Sequence, residues 1–324
     1  MAPAQTPAPH ASGQQLMLAG PASVPDVSII IPHFNMPDAL LRCLASVKAQ
    51  AFDGHAEVIV VDNGSRTPLD AVRAAHPDVI FLSEPTPGPG PARNTGVAAA
   101  RASLLAFIDA DCRAGEGWLA AAVAGVRAGG AQGVVGGDVR IDFIDPHRLT
   151  ALEAYEAVFA YRQRMYIEKL NFSGTGNLAM TRLAYDSVGP FAGIGVAEDR
   201  DWGQRATAAG LRIRYVDPMR AYHPARAAFA DLVVKWRRHV RHDHAALAPT
   251  ASARLKWQAL RLAMLASIPV DSLRLLASPR LSGLSNRLRG LTVLARIRLF
   301  RALEMGRVAA GSTQDAGAVW QGKP

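Results

Sequence analysis

Two stretches of this chain, Val27-Ser28-Ile29-Ile30-Ile31 and Val58-Ile59-Val60-Val61, are apolar at almost every position. A strand with one face in water alternates apolar with polar residues, so strands like these must be covered on both faces. From Val27 onward, short β-branched runs are followed by alanine-rich polar segments, the pattern of strands and helices alternating over a mostly parallel sheet. The pattern predicts strands at Val27–Pro32, Glu57–Asp62, Val79–Ser83, Leu104–Asp109 and Gly133–Ile141. Helices are expected at about residues 37–50, 68–75, 91–102 and 116–128. Beyond Ile141 the expectation is a helical stretch over Leu149–Lys169, the glycine-rich segment Ser173-Gly174-Thr175-Gly176-Asn177, and a strand at Leu178–Thr181. A helix from Arg182, another up to Ala209 and a strand at Arg212–Val216 follow, and the chain past Ala230 reads as helical and basic.

At 324 residues and 49% hydrophobic, the chain is long enough to bury a large core. Cys43 and Cys112, the only cysteines, are too few for a disulfide framework or a thiolate metal site; they read as buried thiols in a reducing compartment. Residues 1–26 lack the basic start and apolar core of a secretory signal and read as a disordered leader. No apolar run of about 18 residues occurs, so a conventional spanning helix is not indicated. The net charge of +9 is uneven: residues 232–310 carry 15 Lys and Arg against 3 acids, leaving 21 against 24 elsewhere.

Ligands of open α/β sheets bind beyond the carboxyl ends of the strands. Here those ends carry Pro32-His33-Phe34-Asn35, Asp62-Asn63-Gly64-Ser65 and Asp109-Ala110-Asp111. Hard carboxylate oxygens at such an edge suit Mg²⁺ or Mn²⁺, and Arg93, after the Pro85–Pro91 loop at a helix start, suits an anion. Plain structural readings stand beside these: Asp62 as a turn cap, Arg93 as a solvated helix residue, and Asp109 with Asp111 as a strand-end cap. A second acidic cluster, Glu198-Asp199-Arg200-Asp201-Trp202, precedes a predicted helix, whose dipole such acids also favour.

In their order, the segments at 27–35, 58–65, Gly90-Pro-Ala-Arg-Asn-Thr-Gly96, Phe107-Ile-Asp-Ala-Asp111 and 198–202 resemble the inverting glycosyltransferases of family 2 over residues 27–225. The resemblance implies the GT-A fold, an α/β architecture with a nucleotide-binding sheet flanked by helices, here followed by a basic helical appendage. It implies nucleotide-sugar contacts from Pro32, Phe34, Asn35, Asp62, Asn63, Arg93, Asp109, Ala110 and Asp111, with Asp111 on a divalent metal (Mg²⁺ or Mn²⁺). Asp199 would be the general base, and Glu198 and Trp202 would belong to the acceptor site. Asn177, between glycines and strand, is expected near a sugar or in a simple turn, and His223 is expected either on the metal or in a structural role. His33 and Cys112 are read as unneeded.

The expected organisation is a leader (1–26), a glycosyltransferase domain (27–230, divided into 27–141 for the nucleotide sugar and 142–230 for the acceptor), a basic helical region (231–310) and a flexible tail (311–324). The expected reaction moves a sugar from a nucleoside-diphosphate sugar to a hydroxyl of a glycan or lipid-linked acceptor in cell-envelope or exopolysaccharide synthesis. The location would be cytoplasmic, with the basic region on an anionic membrane at the inner face of the cell membrane. Arg is not confined to one face there, so a solvated appendage is the competing reading. A sugar nucleotidylyltransferase is the enzymatic alternative, although the Gly-, Arg- and Lys-bearing loop it needs after strand one is replaced by His33-Phe34-Asn35-Met36-Pro37. A non-enzymatic binder of anionic polymers rests on charge alone, and no nucleic-acid partner is expected.

Overall fold

A computed structural model describes Met17, Leu18 and residues 23–311. Most of the expected leader, and the expected tail beyond residue 311, lie outside the described residues. In chain order the elements are β1 (Met17–Leu18), β2 (Val27–His33), α1 (Pro37–Lys48), β3 (His55–Asp62), α2 (Asp70–Ala75), β4 (Ile80–Ser83), α3 (Pro89–Ala99), β5 (Leu104–Ile108), β6 (Arg113–Ala114) and α4 (Trp118–Arg127). There follow β7 (Val134–Asp142), α5 (Ala151–Phe159), α6 (Gln163–Leu170), β8 (Asn177–Thr181), α7 (Arg182–Val188), α8 (Glu198–Ala208), β9 (Ile213–Pro224), α9 (Phe229–Ala245), α10 (Ala251–Leu276) and α11 (Leu284–Ala309). The described residues form two compact units, one running up to Arg140 with Tyr161–His223, the other of Ile141–Ala160 with the described residues from Pro224 onward.

The first unit is built on a sheet in the order β1-β3-β2-β5-β8-β7-β9-β6, with β4 also on β3. Pairing is parallel among β1, β2, β3, β4 and β5, and the register sets His33 beside Asp62. Past β5 the sense changes: β8 runs antiparallel to both β5 and β7. The strand expected at Gly133–Ile141 therefore does not extend the parallel series. Residues 177–181, far later in sequence, are inserted between it and β5, a placement that strand and helix alternation does not encode.

Both faces of the central strands are covered, as their apolar runs require. Ile29, Ile31, Val58 and Val60 pack with Leu40, Leu44 and Val47 of α1 and with α4, while Ile30 and Val97 join a cluster on the other face. Helix α1 follows from Pro37 in its first turn, Leu40, Cys43, Leu44 and Val47 at helical spacing, and Lys48 in its last turn. The single helical stretch expected over 149–169 is instead two helices, interrupted at Tyr161, whose φ of 46° no helix accommodates. The interruption lies where the chain passes from one unit to the other.

In the second unit α11 packs against α5, α9 and α10. Leu152, Tyr155, Leu232, Val293, Leu294 and Ile297 form one apolar cluster, and Val240, Trp257, Met305 and Val308 form another. Helix α10 leaves Leu255, Leu262 and Leu273 more than half exposed. Among the described residues, no helix is long and apolar enough to cross a membrane.

Candidate active site

The parallel strands β2, β3 and β5 deliver their carboxyl ends, with Asp62 and Asp109, to one edge of the sheet. At the β3 end, Asp62 Oδ1 accepts hydrogen bonds from His33 Nδ1 at 3.0 Å and from Ser65 Oγ at 2.5 Å. His33 Nε2 accepts the Met36 N–H at 3.1 Å, so the proton of this buried ring sits on Nδ1 and points at Asp62. His33 thus orients the Asp62 carboxylate, contrary to the expectation that it is unneeded. No pattern in the sequence marks that role, which depends on the register of β2 against β3.

Asn35, at φ 53°, accepts the Arg66 N–H at 2.7 Å, and its own N–H donates to Ser65 Oγ. Asn63 holds the 84–88 loop: its amide donates to the carbonyls of Glu84 and Thr86 and accepts the Gly88 N–H. The side chains of Asn35 and Asn63 are therefore engaged in shaping the rim. Pro32 is half-buried, Phe34 is exposed, and Ala110 is buried.

Arg93 is the centre of the arrangement. Its guanidinium, 3% exposed, donates from Nη2 to Asp109 Oδ1 at 2.6 Å and from Nη1 to Glu198 Oε1 at 3.2 Å. Burial works against its charge, but Asp109 and Glu198 outweigh burial and hold the guanidinium protonated more firmly than usual. Helix α3 secures the segment leading into α8 at two further points. Asn94 exchanges hydrogen bonds with Phe191 N and O, and Gly90 lies so close that a Cβ there would sit 2.0 Å from the Ala192 carbonyl oxygen. The acidic start of α8 is thereby held beside the end of β5.

Asp199 opens α8 with one oxygen, Oδ1, accepting the Arg200 N–H at 2.7 Å. Burial pushes its carboxyl above the ordinary range and Glu198 adds to the rise, while the Arg200 N–H and Arg93 oppose it. Asp201 instead pairs with Arg205 one turn on, at 2.9 Å. At the other side of the β5 terminus, Asp111 Oδ2 lies 3.2 Å from His223 Nε2, and the Tyr161 ring packs against His223, tilted by 36°, at 4.7 Å between centroids. Burial pushes the Asp111 carboxyl up, but His223 more than offsets it and holds it low. Gly176 adjoins Asp109, where a Cβ would stand 2.3 Å from Asp109 Oδ2.

Two expectations are corrected. Trp202 is 1% exposed, its indole N–H donates to the Gly189 carbonyl at 3.0 Å and its ring packs on Phe191, so it has no surface to offer an acceptor. Asn177 is fully buried: it accepts from Trp118 Nε1 at 2.8 Å and donates to the carbonyls of Asp138 and Met219. It ties β8 to its neighbours and does not face a sugar. The free thiols of Cys43 and Cys112 are buried.

The family model of glycosyl transferase family 2 matches residues 28–188. Glycosyltransferase AglE of Haloferax volcanii is 32% identical over 221 residues, which are 66% of this chain and 71% of that protein. The succinoglycan biosynthesis protein ExoO of Rhizobium meliloti is 38% identical over 92 residues, 27% of this chain and 26% of its own length. Among solved structures, the mannosyltransferase PcManGT of Pyrobaculum calidifontis in complex with GDP-Man and Mn²⁺ matches with a TM-score of 0.55 at 19% identity, over 96% of this chain and 91% of that one. That likeness shows the fold, GT-A. The chain belongs to glycosyl transferase family 2, and is a glycosyltransferase. Membership displaces both the nucleotidylyltransferase alternative and non-enzymatic polymer binding.

Proposed function

We propose that the protein is a metal-dependent inverting glycosyltransferase that moves a sugar from a nucleoside-diphosphate sugar to a hydroxyl of a glycan or lipid-linked acceptor in polysaccharide synthesis. The observation that carries this reading is the Arg93 bridge, which holds Asp109 at the β5 end and Glu198 at the α8 start on one buried guanidinium. It keeps the two acidic clusters at one edge of the sheet, as a single displacement requires of a donor side and an acceptor side.

Asp62, aimed by His33 and Ser65, is positioned to accept hydrogen bonds from a nucleoside. For a divalent cation the fit is chemical: a carboxylate oxygen of Asp111 and a ring nitrogen of His223 are apposed and partly exposed. Such an ion would neutralise charge on the departing nucleoside diphosphate.

In the transfer, the acceptor oxygen bonds to the anomeric carbon as its O–H proton passes to Asp199. Oδ1 of Asp199 is engaged by the Arg200 N–H, so Oδ2 is the oxygen that takes the proton. The bond from the anomeric carbon to the diphosphate breaks, and its electron pair leaves with the nucleoside diphosphate. The raised pKa of Asp199 improves it as a proton acceptor near neutral pH. The exposed leucines of α10, interspersed with Arg254, Lys256 and Arg261, support docking of the second unit on an anionic membrane at the inner face of the cell membrane.

The test is a panel of nucleotide sugars, scored for metal-dependent nucleotide release and for transfer, with two variants. Asp111→Asn is expected to lose metal-dependent donor binding. Asp199→Asn is expected to bind donor normally and to transfer nothing. Transfer by Asp199→Asn at the wild-type rate would remove the base assignment, and silence across the whole panel would count against the reaction.

A further inference from the structure

The acids buried in the second unit are already committed to partners. Glu156 pairs with Arg226, Asp271 with Arg274 and Arg298, and Glu304 with Arg237, Arg241 and Arg307. Between these pairs lies a cluster whose charge is not balanced. Lys235 and Trp236 of α9 face Arg301 of α11: the Arg301 guanidinium lies over the Trp236 ring at 3.5 Å, and Lys235 Nζ is 5.8 Å from the centre of the same ring. Among the described residues neither Lys235 nor Arg301 forms an ion pair, and Trp236 Nε1 and Arg301 Nε are buried with no hydrogen-bond partner. Buried N–H groups are almost always satisfied, and buried charges are almost always paired.

The electrostatics agree with that geometry. Burial, then Arg226, Arg238 and Arg301, push the Lys235 ammonium down to about 8 against the pull of Glu156. Burial and Arg298 push Arg301 down to about 10 against Tyr155, Asp243 and Asp271. Burial presses each group toward its neutral form, and at Lys235 three neighbouring cations add to it, a cost that an anion would relieve.

We propose that Lys235, Trp236 and Arg301 form a phosphoryl-anion site, in which an ammonium, an indole N–H and a guanidinium edge together hold one terminal phosphate group. The charge matches: two cations that form no ion pair face a group that carries roughly −1.5 to −2 at neutral pH. The donor set matches as well, since an ammonium, an indole N–H and a guanidinium are all donors and no acceptors, and the arginine adds a planar fork. The terminal phosphate belongs either to a soluble phosphate or to a lipid headgroup. The site shares no residue with the acidic cluster of the first unit and does not depend on the transfer reading.

The experiment uses the full chain with isotope-labelled tryptophan indoles and no divalent cation, the Trp236 resonance being assigned from Trp236→Phe. Inorganic phosphate is titrated at constant ionic strength, and phosphatidylcholine vesicles with and without phosphatidate form the second arm. A saturable shift of the Trp236 indole resonance is expected, weakened about tenfold or more in Arg301→Gln and in Lys235→Gln. Neither substitution should lower Tm, because each removes an unbalanced charge. A shift with free phosphate identifies a soluble ligand, whereas a shift only with phosphatidate vesicles identifies a headgroup. No Trp236 shift with either probe, a shift of equal affinity in both variants, or variants that lose fold in place of affinity would overturn the site.

Discussion

Arg93→Met removes both ion pairs of the central bridge while keeping most of the apolar stem. Breaking a buried pair by deleting one partner costs about 3–5 kcal/mol when the remaining charge stays buried. Here Asp109 and Glu198 keep 36% and 22% of their side-chain surface and rehydrate in part, and the desolvation of Arg93 itself is relieved. The expected cost therefore falls to about 2 kcal/mol. For a unit of this size that is a drop in Tm of about 4–8 °C. Thermal unfolding followed by circular dichroism reads it, together with a double-mutant cycle against Glu198→Gln, where a coupling of about 1 kcal/mol or more is expected. A second consequence concerns pH. Arg93 opposes the rise in the Asp199 pKa, so its removal raises that pKa further. A general base works when ionised, so activity climbs with pH through this pKa, and the acid limb of kcat/KM moves to higher pH in the variant. An unchanged Tm with an additive cycle would refute the bridge as the element joining α3, β5 and α8. A limb that stays in place would refute its coupling to Asp199.

Asn177→Ala strands Trp118 Nε1 and the carbonyls of Asp138 and Met219, and is expected to cost about 3 kcal/mol or more, read as a lowered urea midpoint with no change in the slope. A stable variant with altered acceptor preference would restore the sugar-facing reading. Gly90→Ala drives a methyl group against the Ala192 carbonyl and is expected to lose about 1–3 kcal/mol in the same assay, with acceptor transfer falling further than donor binding because the lead into α8 is displaced.

The central strands were legible because burial on both faces leaves an unmistakable mark: no polar residue interrupts Ile29-Ile30-Ile31 or Val58 through Val61. The sequence predicts a strand at Arg212–Val216 where β9 runs over Ile213–Pro224, since most of its residues are half-buried and show no clean alternation. The gathering of Asp109, Asp111 and Arg93 was legible from strand ends and a helix start. What the pattern could not distinguish was a polar residue facing a ligand from one spent inside the fold. Asn177 after two glycines and Trp202 beside three acids both look available, yet each directs its polar atoms to backbone or buried partners that lie far off in sequence. His33 erred the other way, because its role depends on a neighbour 29 residues distant along the chain.

The change of sense at β5 bears on how this enzyme can be recombined. The five residues of β5 are registered on one side against Met180 and its neighbours in β8, which the ribosome makes some seventy residues later. A chimera joined near residue 141 would therefore not exchange a self-sufficient donor module. It would strip one flank of the strand bearing Asp109, leaving a raw edge that invites aggregation unless the incoming segment supplies a matching ribbon.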